Sequence, residues 1–212
     1  MPETTRIKIC GITSIDEIYW LNHFCPDYAG FVFTESRRQV NPEFAAKLGK
    51  ELALSIKRVG VFVDLEPVRA AKISEMTGLD VIQLHGREDS FYIDQLRSII
   101  RPGIEIWKAL RVDAVHMPDE SVIRSMHMDR LLLDTYVDGV PGGTGRCFDW
   151  KLVSQMDIKL PIILAGGLHP GNVKDAIQQA SPFAVDTSSG VESGGRKDKE
   201  KLQAFIEAIK SS

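Results

Sequence analysis

A (β/α)8 TIM barrel, an α/β fold of eight parallel strands, is the fold class this sequence predicts, on three observations. Apolar, β-branched runs recur along the whole chain at intervals of about 22 to 31 residues. Amphipathic stretches separate most of them. Polar and glycine-rich groups follow nearly every run at its carboxyl end.

The runs begin near Arg6 (RIKIC), Tyr28 (YAGFVF), Lys57 (KRVGVFV), Asp80 (DVIQLH), Ile104 (IEIWKAL), Arg130 (RLLLD), Pro161 (PIILA) and Phe183 (FAVD). Most are apolar throughout, so both faces are buried, as in a parallel sheet covered by helices. Parallel strands need crossovers, and helical patterns supply them. Pro42 to Leu54 carries Phe44, Leu48 and Leu52, Glu66 to Thr77 carries Val68, Ile73 and Met76, and Gly171 to Ala180 carries Val173 and Ile177. Ser90 to Ile100 and Asp198 to Lys210 read the same way, with Asp198 as N-cap after a loop at Gly194-Gly195-Arg196-Lys197. Met117-Pro118 interrupts the pattern between runs five and six, where a short or irregular fifth helix is expected, and Asp138 to Gly145 breaks it again.

Eight such units fit a closed barrel or an open doubly wound sheet. The polar groups favour the barrel. Cys10-Gly11, Ser36 to Arg38, Asp64, His85-Gly86, Lys108, Asp134, Gly166-Gly167, and Asp186 with Ser188 to Gly190 converge on one mouth if the sheet closes, whereas an open sheet spreads them along an edge. At 212 residues the barrel is near its lower size limit, and no linker or charge block divides it. Residues 1–212 are therefore expected to form one domain.

Composition sets the class and nothing finer: 43% hydrophobic and 26% charged residues suit a soluble globular chain. A net charge of −3 with scattered Lys and Arg argues against nucleic acid as a partner. No apolar run approaches the roughly 18 residues of a membrane span, and Met1 to Arg6 is polar, so no membrane association and a cytoplasmic location are expected. Cys10, Cys25 and Cys147 are an odd number without CxxC spacing, which points to free thiols and to no metal site. Cys25, in the helical region before run two, and Cys147 read as small buried hydrophobes.

Three segments can hold a phosphate: Gly142-Gly143-Thr144-Gly145, Ala165-Gly166-Gly167 and Ser188-Ser189-Gly190. Glycines let backbone N–H groups approach an anion, and barrels commonly bind phosphate after strands seven and eight. The alternative is that they only permit tight turns. Asp134 closes the apolar run Leu131-Leu132-Leu133, a setting that tends to raise a carboxyl pKa and suits a proton donor, or it caps a loop. Cys10 ends the first run, and Gly11 after it is expected to leave the thiol room at the mouth, where a thiolate base is credible. No Cys-His-Asn protease motif surrounds it. Lys8 shares a strand face with Cys10 and either lowers the thiol pKa or pairs with a carboxylate. Of Arg37 and Arg38, one can grip a carboxylate bidentately while the other is a solvated charge. Gln83 and His85 end run four with no second ligand at metal spacing. Asp186 can bond a ribose hydroxyl or amine, or hold the Ser188-Ser189 turn.

Taken in order, these segments resemble the phosphoribosylanthranilate isomerase family. They are Lys8-Ile9-Cys10-Gly11-Ile12-Thr13, Gly30-Phe31-Val32-Phe33 with Ser36-Arg37-Arg38, Val59-Gly60-Val61-Phe62-Val63 and Gln83-Leu84-His85-Gly86. The second half adds Leu132-Leu133-Asp134-Thr135, Gly142-Gly143-Thr144-Gly145 with Phe148-Asp149-Trp150, Ala165-Gly166-Gly167-Leu168 and Val185-Asp186-Thr187-Ser188-Ser189-Gly190-Val191-Glu192. Gln39 stands where an aromatic residue is expected, and Cys147 where Thr is more usual.

The resemblance implies an Amadori rearrangement of N-(5-phosphoribosyl)anthranilate to the 1-(2-carboxyphenylamino)-1-deoxyribulose 5-phosphate, a step of tryptophan biosynthesis, with no cofactor. It implies Asp134 as general acid, Cys10 as general base, Arg38 at the anthranilate end and Asp186 as an orienting group. It further implies that Gly166, Gly167, Ser188 and Ser189 take phosphate through backbone amides. Gly143 and Gly190 join the phosphate candidates, and Gln83 and His85 the substrate-binding ones. Two rivals remain. A histidine-pathway phosphoribosyl isomerase runs the same chemistry but with aspartate as its base, and a non-catalytic barrel that binds a phosphorylated metabolite needs neither acid nor base. The oligomeric state is open, with a monomer the simpler expectation.

Overall fold

Strand order in the computed structural model follows from the apolar runs: β1 (Arg6–Cys10), β2 (Tyr28–Val32), β3 (Lys57–Phe62), β4 (Val81–Leu84), β5 (Glu105–Arg111), β6 (Arg130–Asp134), β7 (Ile162–Ala165) and β8 (Ala184–Thr187). The structure describes residues 4–112, 118–134 and 150–211. All eight strands pair in parallel with their sequence neighbours, and β8 closes on β1, making a closed barrel. Among the described residues, eight α-helices accompany them: α1 (Ile15–Phe24), α2 (Pro42–Glu51), α3 (Pro67–Thr77), α4 (Ser90–Ile99), α5 (Glu120–Ser125), α6 (Lys151–Ser154), α7 (Val173–Ala180) and α8 (Lys199–Lys210). The fifth is short, as expected, and α6 is shorter still. None of the described helices is long and apolar enough to cross a membrane.

Local chemistry fixes the helix ends. Ser14 and Glu17 form a reciprocal capping box at the start of α1, and Asn41, Asp89 and Asp198 accept backbone N–H bonds as N-caps of α2, α4 and α8. α2 stops at Glu51 because Leu52 turns extended, three residues before the apolar pattern runs out. Cys25 is exposed, not a buried hydrophobe: it is the C-cap of α1 in the left-handed conformation at φ 52°. The Gly194–Lys197 segment is not a simple loop either. Gly194 and Gly195, at φ 59° and 84°, turn a two-residue hairpin between β9 (Glu192–Ser193) and β10 (Arg196–Lys197).

Two apolar layers result. Ile9, Phe31, Ile82, Ile106, Leu131, Leu133, Leu164 and Val185 face outward from the strands into a shell sealed by helix residues such as Leu21, Leu48, Leu96 and Phe205. Inside, Tyr28, Val59, Val81, Trp107, Leu132, Ile163 and Ala184 fill the barrel. The amino-terminal end is plugged by charge and aromatic contacts. Arg6 and Arg130 lie 4.6 and 4.0 Å from the Phe183 ring, Glu105 accepts from Arg130 and from the Trp107 indole, and Trp107 packs edge-on against Tyr28 at 4.9 Å.

Candidate active site

Period-two alternation turns every second strand residue inward, and at the carboxyl ends these residues meet. A cavity of about 650 Å³ opens there, lined by Cys10 of β1, Val32 of β2, Val61 of β3, Gln83 of β4 and His85 just after it, Arg111 of β5 and Asp134 of β6. Gly166 and Gly167 after β7, and Asp186 with Ser188 to Gly190 at β8, complete the wall. The acid and base candidates therefore face one space. Gly143 and Cys147 lie outside the described residues, and Gln39 is not in the lining; it bridges Val32 through its backbone.

Cys10 and Lys8 share the inner face of β1, and parallel pairing with β8 sets Lys8 beside Asp186. The Lys8 ammonium donates to Asp186 Oδ2 at 2.6 Å, with the lysine side chain fully buried. This realises the carboxylate-partner alternative for Lys8, while its charge also reaches Cys10. Burial pushes the Cys10 thiol up, and the Lys8 and Lys197 charges pull against it without winning. Burial likewise pushes the Asp186 carboxyl up against the pull of Lys8, yet Lys8 is held above its usual value because Asp186 outweighs its own burial. Those directions conflict, since the first disfavours the ion pair and the second favours it. The contact at 2.6 Å decides for a charged pair, and its second oxygen, Oδ1, is buried without a protein partner.

Glycines make the room. A Cβ on Gly30, the β2 neighbour of Cys10, would sit 3.0 Å from the thiol sulfur, so it is Gly30 that frees the thiol. Gly11, at φ 82°, instead leaves space for the Arg38 stem, because a Cβ there would overlap Arg38 Cδ. Opposite Cys10, Asp134 Oδ2 lies 3.3 Å from His85 Nε2, and His85 Nδ1 lies 3.2 Å from Gln83 Nε2. Gln83 and His85 thus back the acid candidate, and Gln83 Oε1 is another buried acceptor without a partner.

Arg38 donates from Nε and Nη2 to Glu192 at 2.6 and 3.0 Å, and Arg37 donates to the same carboxylate at 2.8 Å with 57% of its side chain exposed, against 22% for Arg38. Arg37 is the more solvated member of the pair. The Ser188 turn is held not by Asp186 but by Lys197, whose ammonium reaches the Ser188 carbonyl at 3.0 Å, and by the Ser188 hydroxyl, which donates to the Cys10 carbonyl at 3.0 Å. Gly190 packs so closely that a Cβ would collide with the Leu168 carbonyl oxygen. Gly166 and Gly167 both take positive φ, 91° and 65°, open to the cavity.

Lys108 departs from the expectation that it ends β5 at the mouth. It sits mid-strand on the outer face, where its buried ammonium meets Glu88 at 2.8 Å and the Gly86 carbonyl at 2.7 Å, fixing the loop that carries His85. Arg111 is the residue that ends β5 at the cavity; extending the inward sequence Glu105, Trp107, Ala109 by one period finds it. Glu192 and Lys197 were also missed, because a hairpin of two residues a side leaves no periodic signal.

A closed barrel whose mouth gathers a carboxyl, a thiol and two glycine-rich loops defines a class, the (β/α)8-barrel aldose–ketose isomerases. Within that class the chain belongs to the N-(5'-phosphoribosyl)anthranilate (PRA) isomerase family, whose model matches residues 7–208. It is 43% identical to the N-(5'-phosphoribosyl)anthranilate isomerase of Acetivibrio thermocellus, over 98% of this chain and 97% of that protein. Its fold is similar to the crystal structure of phosphoribosyl anthranilate isomerase from Thermotoga maritima, with a TM-score of 0.84 and 34% identity over 98% of this chain and 100% of that one. A further phosphoribosyl anthranilate isomerase structure, solved with reduced 1-(o-carboxyphenylamino)-1-deoxyribulose 5-phosphate, is 33% identical with a TM-score of 0.81, over 98% and 100% of the two chains.

Proposed function

We propose that this chain rearranges N-(5-phosphoribosyl)anthranilate by acid–base catalysis at Asp134 and Cys10. The observation that carries the reading is that both residues line one cavity whose far wall is the pair of glycine loops after β7 and β8. Asp134 gives a proton to the furanose ring oxygen; the C1–O bond breaks as the anilino nitrogen's electron pair forms the Schiff base. The minor thiolate form of Cys10, which the Lys8 and Lys197 charges favour against burial, removes the proton from C2, and the electrons fall into a C1–C2 double bond to give the enolamine. Tautomerisation places one proton on C1 and removes one from the C2 hydroxyl. The proton gained by Cys10 and the one lost by Asp134 are thereby restored, with no outside reagent.

The rest of the cavity suits the ends of that substrate. Backbone amides at Gly166-Gly167 and Ser188-Ser189 are the phosphate donors, with Gly190 supplying the close turn. Arg38 is the partner of the anthranilate carboxylate, and the free Oδ1 of buried Asp186 accepts from a ribose hydroxyl or the amine. Gln83 and His85 hold Asp134 and border the sugar. The relative that holds the reduced product analogue supports a small phosphorylated ligand. Closure between the first and last strands supports a single barrel domain.

Loss of the fluorescence of phosphoribosylanthranilate on adding purified protein tests the reading, and inorganic phosphate should inhibit competitively. Turnover of the histidine-pathway imidazole carboxamide substrate alone, or of neither substrate, would sink it.

A further inference from the structure

Glu192 takes no part in the proton transfers above, yet it is a buried carboxylate set among charged side chains. Only 5% of its side chain is exposed, and it faces three cations drawn from two segments of chain. Oε1 accepts from Arg38 Nε at 2.6 Å and from Lys197 Nζ at 2.9 Å; Oε2 accepts from Arg37 Nη2 at 2.8 Å and Arg38 Nη2 at 3.0 Å. Burial pushes the carboxyl up, but the bonds from Arg38 and Lys197 outweigh it and hold the group below the usual glutamate range.

The arrangement reaches both ends of the cavity. Arg38 spends two adjacent N–H donors on Glu192, which fixes the guanidinium plane and leaves the other donors of the fork for the cavity it lines. Lys197 divides its ammonium between Glu192 and Ser188, the latter at 3.0 Å through the carbonyl and 3.4 Å through Oγ. One carboxylate therefore ties the loop after β2 to the loop after β8.

We propose that Glu192 is the positioning residue of the substrate anchors: by gripping Arg38 and Lys197 together it sets the guanidinium for the aromatic carboxylate and the Ser188 turn for the phosphate. This rests on the reading of Arg38 as the carboxylate partner given above. Without the charge, three cations crowd one another, one of them, Lys197, buried, and both anchors shift. Glu192 touches neither the Cys10 thiol nor Asp134 and reaches Cys10 only indirectly, through Lys197 and the Ser188 turn, so its loss acts chiefly on binding.

Wild type, Glu192→Gln and Arg38→Ala are compared for kcat, KM and the inhibition constants of two fragments, anthranilate and inorganic phosphate. Glu192→Gln is expected to raise KM and both fragment constants by about tenfold or more while kcat stays within about threefold. Arg38→Ala is expected to weaken anthranilate and leave phosphate unchanged. If Arg38→Ala weakens anthranilate but Glu192→Gln alters neither fragment, alters only one, or lowers kcat alone, the role of Glu192 is refuted and that of Arg38 stands. If Arg38→Ala binds anthranilate normally, the Arg38 reading itself fails. Should Glu192→Gln not fold, Lys197→Gln answers the same question. Lys197 hydrogen-bonds Glu192 and not Arg38, and its charge repels Arg38, so weaker anthranilate inhibition supports the proposal and an unchanged constant overturns it.

Discussion

Replacing Lys8 by methionine keeps most of the stem and removes the ammonium that faces Asp186 at 2.6 Å inside the barrel. Breaking a buried ion pair from one side leaves the other charge stranded, at a cost of about 3–5 kcal/mol. For a domain of this size that lowers Tm by roughly 6–20 °C. The loss has a pH signature. In the variant, burial and Asp134 still push the Asp186 carboxyl up, with His85 alone among its main neighbours pulling the other way. Its folded pKa then lies further above the unfolded one. The penalty is complete above that raised folded value and shrinks as pH falls through it towards the unfolded carboxyl value of about 3.9. Urea unfolding at neutral and mildly acid pH measures both. The double variant Lys8→Met with Asp186→Asn should regain much of the stability, because no buried charge is left unpaired. A neutral-pH loss below about 1 kcal/mol, or one that does not diminish on acidification, refutes the ion pair as a stabilising contact.

Cys10→Ala and Asp134→Asn should each lower kcat/KM by roughly a hundredfold or more in the fluorescence assay; near-normal rates in both would remove them as base and acid. Gly190→Ala drives a methyl into the Leu168 carbonyl oxygen, so it should cost about 1–3 kcal/mol in thermal unfolding and weaken inhibition by phosphate. Glu105→Gln, at the plugged end, should cost about 1–2 kcal/mol without changing kcat. Burial pushes the Glu105 carboxyl up but bonds from Trp107 and Arg130 hold it below its usual value. Its contribution is therefore present above the ordinary glutamate range and disappears as pH falls through the folded value, which unfolding curves from neutral to acid pH would show.

The barrel was legible because its strands are buried on both faces, which leaves continuous apolar runs such as Leu131-Leu132-Leu133. Asp134 could be singled out for the same reason, as the first charged group after Leu131-Leu132-Leu133, and Cys10 because it ends the first strand beside a glycine. The Lys8–Asp186 pair could be suspected only as one of two alternatives, since its members are 178 residues apart and meet only when the last strand closes on the first. Lys108 misled because strand five runs on to Arg111, so a lysine taken for a strand end lies in its middle, on the other face. Nothing local marked Glu192 and Lys197. Their importance arises from where a glycine turn folds a polar segment back over the mouth.

The Arg6, Phe183 and Arg130 stack with Trp107 and Tyr28 beneath the cavity makes the interior a blind well. Among the described residues, reactant, product and displaced water have one doorway, the mouth of the barrel, so each turnover waits until the ketose has backed out the way its precursor came. Retention of the product is then a direct brake on the enzyme, and changes to the rim that loosen the outgoing ligand should speed catalysis even when the proton transfers are untouched.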